Sequence, residues 1–412
     1  MKFDKKYVVL ATSAFLLSAC GNGDDDSAGS RSLEVFSQKP EMQAQLQAIV
    51  DDFNEEYEAD LELVSVPNPG TVLRTRIANN DAPDIINIFP QNTDFQQWSS
   101  AGEFIELSNE EFMDNIVEGA AEEYAINDGI YSLPLTTNAW GFFYNEDKFN
   151  ELSLEVPETW AEFEQLVEDI NNAGEVPFAG AFSTADSWTL NGFHQLAWAQ
   201  AAGGYDGAND YLRHSEPGAI STKDPEFQRV TDQLSLLIGN AQRNSAGASY
   251  NDAIAAFTNE DALIMPNGIW ALPAINEQNP DFTVRSFAYP GENPGEQLTV
   301  GAADLAFSVS ESTSNPELAL QFLEYMSDPD VLRRYYEVDG MPTSLVELQE
   351  DDSFEETNGI TQYTFTDQQM IWLHRDWDSE EGFWHTTVDF INGGGDEEAL
   401  ANSLNQFFDP MK

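Results

Sequence analysis

Residues 129–149 read Gly-Ile-Tyr-Ser-Leu-Pro-Leu-Thr-Thr-Asn-Ala-Trp-Gly-Phe-Phe-Tyr-Asn-Glu-Asp-Lys-Phe, and residues 156–163 follow as Val-Pro-Glu-Thr-Trp-Ala-Glu-Phe. The run 130–135 is interrupted by Pro134, which cannot donate to a ladder, so it predicts an edge strand or an extended entry into one. Residues 140–144 are dense in aromatics and predict a buried strand. Asn145 and Asp147 supply turn or cap chemistry after it. Thr159 predicts a helix cap, with Glu162 three residues on completing a capping box. Phe163, Leu166, Val167 and Ile170 carry that helix forward at helical spacing.

Upstream of this stretch, residues 33–36 predict a strand, and Met42, Leu46, Ile49, Val50, Phe53 and Tyr57 an amphipathic helix. A strand at 61–66, a helix at 72–79 and a strand at 85–89 follow. Strand-helix alternation implies parallel pairing, hence an α/β lobe. Downstream, helices are predicted at 159–172, 191–202 and 226–241, with a short one at 250–257. Residues 262–265 predict a buried strand leading to Gly268 and Trp270. Asn315-Pro316-Glu317 and Asp328-Pro329-Asp330 each open a helix, and 396–408 form the last.

The chain carries 73 Asp plus Glu against 17 Lys plus Arg, a formal charge of −56, yet is 41% hydrophobic with 27 Phe, 13 Tyr and 9 Trp. That apolar content is enough for a core, so a folded rather than a disordered chain is expected. The charge repels nucleic acid and anionic lipid surfaces and disfavours a polyanionic ligand. It fits a saline or alkaline exterior, where counterions screen self-repulsion, with an ordinary acidic surface lipoprotein without salt dependence as the alternative. Lys2, Lys5 and Lys6, an apolar run from 7 to 17, and Leu17-Ser18-Ala19-Cys20 predict a secretory signal over 1–19, too short to span a bilayer. The tetrapeptide resembles a lipobox that would lipidate Cys20, the single cysteine, which leaves no internal disulfide. Residues 20–32 are then the lipidated cysteine and a flexible tether. The expected place is the extracellular face of the cell membrane of a single-membrane bacterium, with a periplasmic lipoprotein as the alternative.

The three blocks Gly129–Pro134, Phe143–Phe149 and Pro157–Trp160 occur in an order and spacing that resemble family 1 of the bacterial extracellular solute-binding proteins, the maltose-binding-protein-like sugar and oligosaccharide receptors of ABC transporters. Residues 256–265 through Gly268-Ile269-Trp270-Ala271, Tyr289-Pro290-Gly291, 306–310 and 315–326 extend the resemblance over nearly the whole mature chain. Asn259-Glu260-Asp261 departs from it, since the family often places a glycine and a basic residue there. The resemblance implies an α/β, two-lobed periplasmic-binding-protein fold of type II with a hinge and an interlobe ligand cleft. Lobe 1 would hold 33–139 plus 302–340, and lobe 2 would hold 140–301 plus 341–412. It implies capture of a carbohydrate, with an oligosaccharide expected, in the interlobe cleft and delivery to the transmembrane subunits of an ABC permease. The membrane would be reached through the lipid anchor only. A monomer without cofactor, metal or nucleic acid is expected.

A sugar presents hydroxyls around apolar C–H faces, so its site wants aromatic plates plus polar donors and acceptors. Candidate plates are Trp270, in a Gly-x-Trp turn that often faces the cleft in the resembled family, Trp188 in a polar loop, Trp140 and Tyr289. Core packing is the competing role for Trp270, and packing or hinge work the favoured one for Trp140 and Tyr289. Asp304, at the second lobe crossing, is the leading polar candidate, with a turn or cap aspartate as its alternative. Gln38, Glu41, Asp94 and Asn138 sit at strand ends or a crossing, where open α/β sheets bind ligands. Asp94 could equally cap a helix. Residues 372–385 gather Trp372, His374, Asp376, Trp377, Trp384 and His385, either as a binding loop or as a helical packing face.

Rival chemistries find little footing. His374, Asp376 and His385 lack a metal-ligand spacing. Tyr335-Tyr336 resembles the tyrosine pair of ferric-ion binders, but its helical setting favours packing. No Gly-x-Ser-x-Gly, His-Glu-x-x-His or Walker loop is present, and paired carboxylates cannot be chosen among so many. A surface glycoside hydrolase, or a receptor for a metal, peptide or polyamine, remains the alternative.

Overall fold

The computed structural model describes residues 32–39, 42–349, 354–392 and 394–412. The signal, Cys20 and the tether lie outside them, as does Glu41. Ten strands form three sheets among the described residues: β1 (Leu33–Ser37), β2 (Leu61–Ser65), β3 (Ile85–Asn87), β4 (Leu133–Thr137), β5 (Trp140–Asn145), β6 (Ile264–Gly268), β7 (Val284–Phe287), β8 (Thr299–Gly301), β9 (Ala303–Val309) and β10 (Gln369–Ile371).

The first sheet has the order β2-β1-β3-β9-β4. β1 pairs in parallel with β2 and β3, as the strand-helix alternation predicts, whereas β9 enters antiparallel between β3 and β4. Both faces are buried along β3, β9 and β4 and nearly so along β1, whereas the edge strand β2 is only partly buried, in keeping with the period-2 geometry of a strand. Leu33, Val35, Ile85 and Phe307 pack beneath Leu46, Ile49 and Phe53 of the Gln43–Tyr57 helix and Phe322 of the Pro316–Met326 helix. Phe36, Ile86 and Ala306 face the other way, into an apolar cluster that runs through Trp140 and Phe193 to Phe383 and Phe408. β4 is an edge strand, as Pro134 predicts. Its outer side is covered by residues 343–345: Thr343 bridges Thr136, Leu345 bridges Ile116, and the Ser344 N–H donates to Leu135 O at 2.9 Å. These residues therefore pack along the first sheet. Covering an exposed sheet edge satisfies its free carbonyls.

The second sheet, β6-β5-β7, is antiparallel, and β5 lies wholly inside it. β6 starts and ends later than the sequence suggests, because Gly268 pairs with Trp140 and continues the strand. Asn145 caps the Glu146–Leu152 helix, accepting from Lys148 N at 2.9 Å. The Thr159–Glu162 capping box is formed, and Phe163, Leu166, Val167 and Ile170 are buried beneath the helix Trp160–Ala173. Such a cap contributes about 1 kcal/mol. The third sheet pairs β8 with β10 in parallel, a contact too short and too distant in sequence to be foreseen.

Candidate functional site

The sheet registers bring five distant chain segments to one place. β1 and β3 run in parallel, so Gln38 and Lys39 emerge at the end of the sheet where β9, running the other way, begins with Ala303 and Asp304. β4 ends there too, since Thr137 pairs with Ala303, and Asn138 follows. In the second sheet Trp140 pairs with Gly268, so Trp270 emerges beside the same crossing. Thr299 Oγ1 clasps Trp140, accepting from its N–H at 3.1 Å and donating to its O at 2.9 Å, and Ile371 pairs with Gly301, so Trp372 arrives as well. The crossings touch: a Cβ on Gly301 would stand 1.9 Å from Asn138 O.

A row of aromatics lines this junction. Trp188 and Trp270 have ring centroids 6.5 Å apart, as do Trp270 and Trp372, and Trp372 stacks on His374 at 5.6 Å and 28°. Tyr250 extends the row beyond Trp188 at 5.3 Å. Trp188 and Trp270 are partly exposed, whereas Trp372 and His374 are buried. Gly268 makes room for the middle plate, since a Cβ there would lie 2.1 Å from the Trp270 ring. The Trp270 indole Nε1 is shielded from solvent and unpaired among the described residues, a costly state for a donor.

The polar candidates are tied into the frame. Asp304 lies in β9, not in a turn. Its Oδ2 pairs with Lys39 Nζ at 2.5 Å and its Oδ1 accepts from Asn138 Nδ2 at 3.3 Å, with the two charged side chains 8% and 10% exposed. Asn138 is the hub: its Oδ1 accepts from Ala302 N at 3.0 Å and from Trp372 Nε1 at 3.4 Å. Gln38 donates to Asn87 O at 2.8 Å. Asp94 does not cap its helix, for Asn92 holds the N-cap position of Thr93–Ala101; it pairs instead with Arg74 at 2.8 Å. Asp376 accepts from Tyr205 OH at 2.9 Å.

Tyr289 takes the packing role that the sequence favours over a ligand plate: it is 0% exposed, its ring packs among Trp160 and Phe193, and its OH donates to Gln233 Oε1 at 2.9 Å. Trp140 is likewise core. Residues 372–385 divide: Trp377 and Phe383 pack in the core, while Trp372 and His374 join the row. No metal-binding group is found among the described residues. Sequence reasoning missed Lys39, Gln195 and Glu380. A lysine inside a sequence so poor in basic residues was the available signal for the first.

A cavity of about 430 Å³ lies between Arg74, Thr93 and Asp94 on one side and His374, Trp377 and Glu380 on the other. The halves also touch directly: Thr93 Oγ1 donates to Trp377 O at 2.9 Å and Gln96 Nε2 to Arg375 O at 3.1 Å. Burial pushes the His374 imidazole down to about 3, so it is neutral at physiological pH. Glu380 keeps 36% of its side-chain surface. The protein around its carboxyl still withholds enough water to push it up to about 7, against a hydrogen bond from Asn191 that opposes the rise. A carboxyl that holds its proton more tightly when folded contributes stability that is full below its ordinary value of 4.5 and lost as pH rises through about 7. Glu380→Gln is expected to flatten the fall in melting temperature between about pH 5 and pH 8. An unchanged slope would assign that fall to other groups.

Two sheets joined by repeated crossings, with an aromatic-lined junction between them, define a two-lobed solute receptor. The chain belongs to the bacterial extracellular solute-binding proteins, whose family model matches residues 48–362. It is 42% identical to the multiple sugar-binding protein of Streptococcus mutans, over 100% of this chain and 99% of that one. Among solved structures, unliganded RafE from Streptococcus pneumoniae is 45% identical with a TM-score of 0.87, covering 92% of this chain and 98% of that one. RafE in complex with raffinose gives the same identity and TM-score over 93% of this chain and 100% of that one.

Proposed function

We propose that this chain is the substrate-binding component of an ABC importer that captures an oligosaccharide at the junction of its lobes and delivers it to a membrane permease. The observation that carries the reading is the row Trp188, Trp270, Trp372, partly open to solvent and built where the crossings converge. Flat indoles match the C–H faces of pyranose rings, and a sugar hydroxyl can accept from an indole N–H. The raffinose complex of RafE supports the same ligand class. In this reading Trp188, Trp270, Trp372 and His374 contact the sugar, Asp94 borders it, and Asn138, Asp304 and Gln38 hold the frame. Lipidation at Cys20 would tether a monomeric receptor to the outer face of the cell membrane, and ligand contacts to both lobes would bias an open–closed equilibrium.

The test is calorimetric titration of the purified protein with a panel of oligosaccharides that includes raffinose, at low and high salt. Saturable one-to-one heat with a sugar of this class is expected. Folded protein that stays silent across the panel at both salts would sink the carbohydrate assignment and turn attention to peptides, polyamines and metals.

A further inference from the structure

His374 ends the aromatic row, and a chain of hydrogen bonds behind it determines which of its nitrogens carries the proton. Gln195, fully buried in the helix Asn191–Ala202, lies 2.6 Å from the backbone N–H of Leu373. A backbone N–H only donates, so the Gln195 atom facing it is the carbonyl oxygen, and the amide orientation is fixed. The Gln195 NH2 then has two acceptors within reach: Asn191 Oδ1 at 2.8 Å and His374 Nδ1 at 3.1 Å. Asn191 in turn donates to Glu380 Oε1 at 2.7 Å. Glu380 Oε1 is 3.6 Å from His374 Nδ1, too far to take a proton from it in a hydrogen bond.

His374 Nδ1 is therefore an acceptor, and the proton of the neutral ring sits on Nε2. Nε2 has no protein partner among the described residues and is absent from the fully enclosed unpaired atoms, so it opens toward the cavity that His374 lines. The other buried histidine has the opposite arrangement. The Trp198 indole donates to His194 Nε2 at 3.0 Å, which leaves Nδ1–H to donate to Thr387 Oγ1 at 2.8 Å.

We infer that Gln195 is a positioning residue for ligand recognition: it holds His374 as the Nε2–H tautomer beside Trp372, making the ring a donor that selects ligands presenting an acceptor oxygen against that plate. The ligand half of this inference rests on the carbohydrate reading above; the tautomer does not.

Long-range proton–nitrogen NMR of the protein labelled at histidine tests both halves at pH 7. In the wild type, His374 is expected neutral with its proton on Nε2 and His194 with its proton on Nδ1. Raffinose is expected to shift the His374 Nε2–H resonance. Gln195→Met, close in volume, is expected to erase the single-tautomer signature of His374 and to weaken raffinose binding about tenfold. A purely packing role for Gln195 would weaken binding and leave the tautomer as it was. A proton on Nδ1 of His374, or a charged ring, overturns the inference in the wild type, whatever the variant does. Raffinose binding that leaves Nε2–H unmoved overturns the ligand half. A wild type with the assigned tautomer but no affinity for raffinose or the other sugars of the panel overturns that half together with the carbohydrate reading.

Discussion

Trp270→Ala is expected to weaken oligosaccharide binding by roughly 30- to 1,000-fold, the equivalent of about 2–4 kcal/mol for an aromatic anchor. Trp270 is the middle plate, 6.5 Å from both Trp188 and Trp372, so its loss removes one face and separates the other two. It also removes an indole N–H that has no partner in the described protein. Trp270→Phe keeps a smaller plate, and since the lost N–H is shielded from solvent it is expected to lose only about tenfold, which measures the stacking area. Tyr289→Phe serves as the control: it removes a hydroxyl bonded to Gln233 in the core and should leave affinity unchanged. Calorimetry with raffinose reads all three. A Trp270→Ala variant that binds within twofold of the wild type would remove Trp270 from the site and with it the middle of the row.

Much of this frame is legible in the sequence because its signals are local. The Thr159–Glu162 box, the Asn145 cap and the apolar spacing of residues 163–170 need only neighbouring residues to be read, and the structure forms each of them. Pro134 marks the sheet edge for the same reason. The site is less legible because register assembles it. Nothing near Trp372 indicates that β10 pairs with β8, a partner 70 residues earlier in register, and so delivers that ring to the Asn138 crossing. Asp304 reads locally as a ligand contact or a turn aspartate; only the antiparallel insertion of β9 makes it face Lys39, 265 residues away in sequence. Tyr289 packs in the core, the role the sequence favours for it, and its backbone bridges Leu298.

Lys39→Met is expected to lower the unfolding free energy by about 3–5 kcal/mol, the cost of leaving one member of a buried ion pair without its counter-charge. The pair is 2.5 Å long with both side chains at or below 10% exposure, so solvent screens it little. Removing the ammonium leaves the Asp304 carboxylate with the Asn138 amide at 3.3 Å, a neutral contact that cannot offset a buried charge. Adding Asp304→Asn should recover most of the loss, because an amide needs no counter-ion and can still bond Asn138. The double-mutant cycle, followed by urea unfolding, would then show a coupling of several kcal/mol between positions 39 and 304. Binding should not recover to the same extent. Asn138 links Asp304 to the Trp372 indole and to the Ala302 crossing, so a frame restored in stability but relaxed in geometry would still misplace the last plate of the row. Additive single-variant effects would mean that the pair is a surface contact in solution. Full recovery of raffinose affinity in the double variant would mean that the junction positions its aromatics without help from these charges.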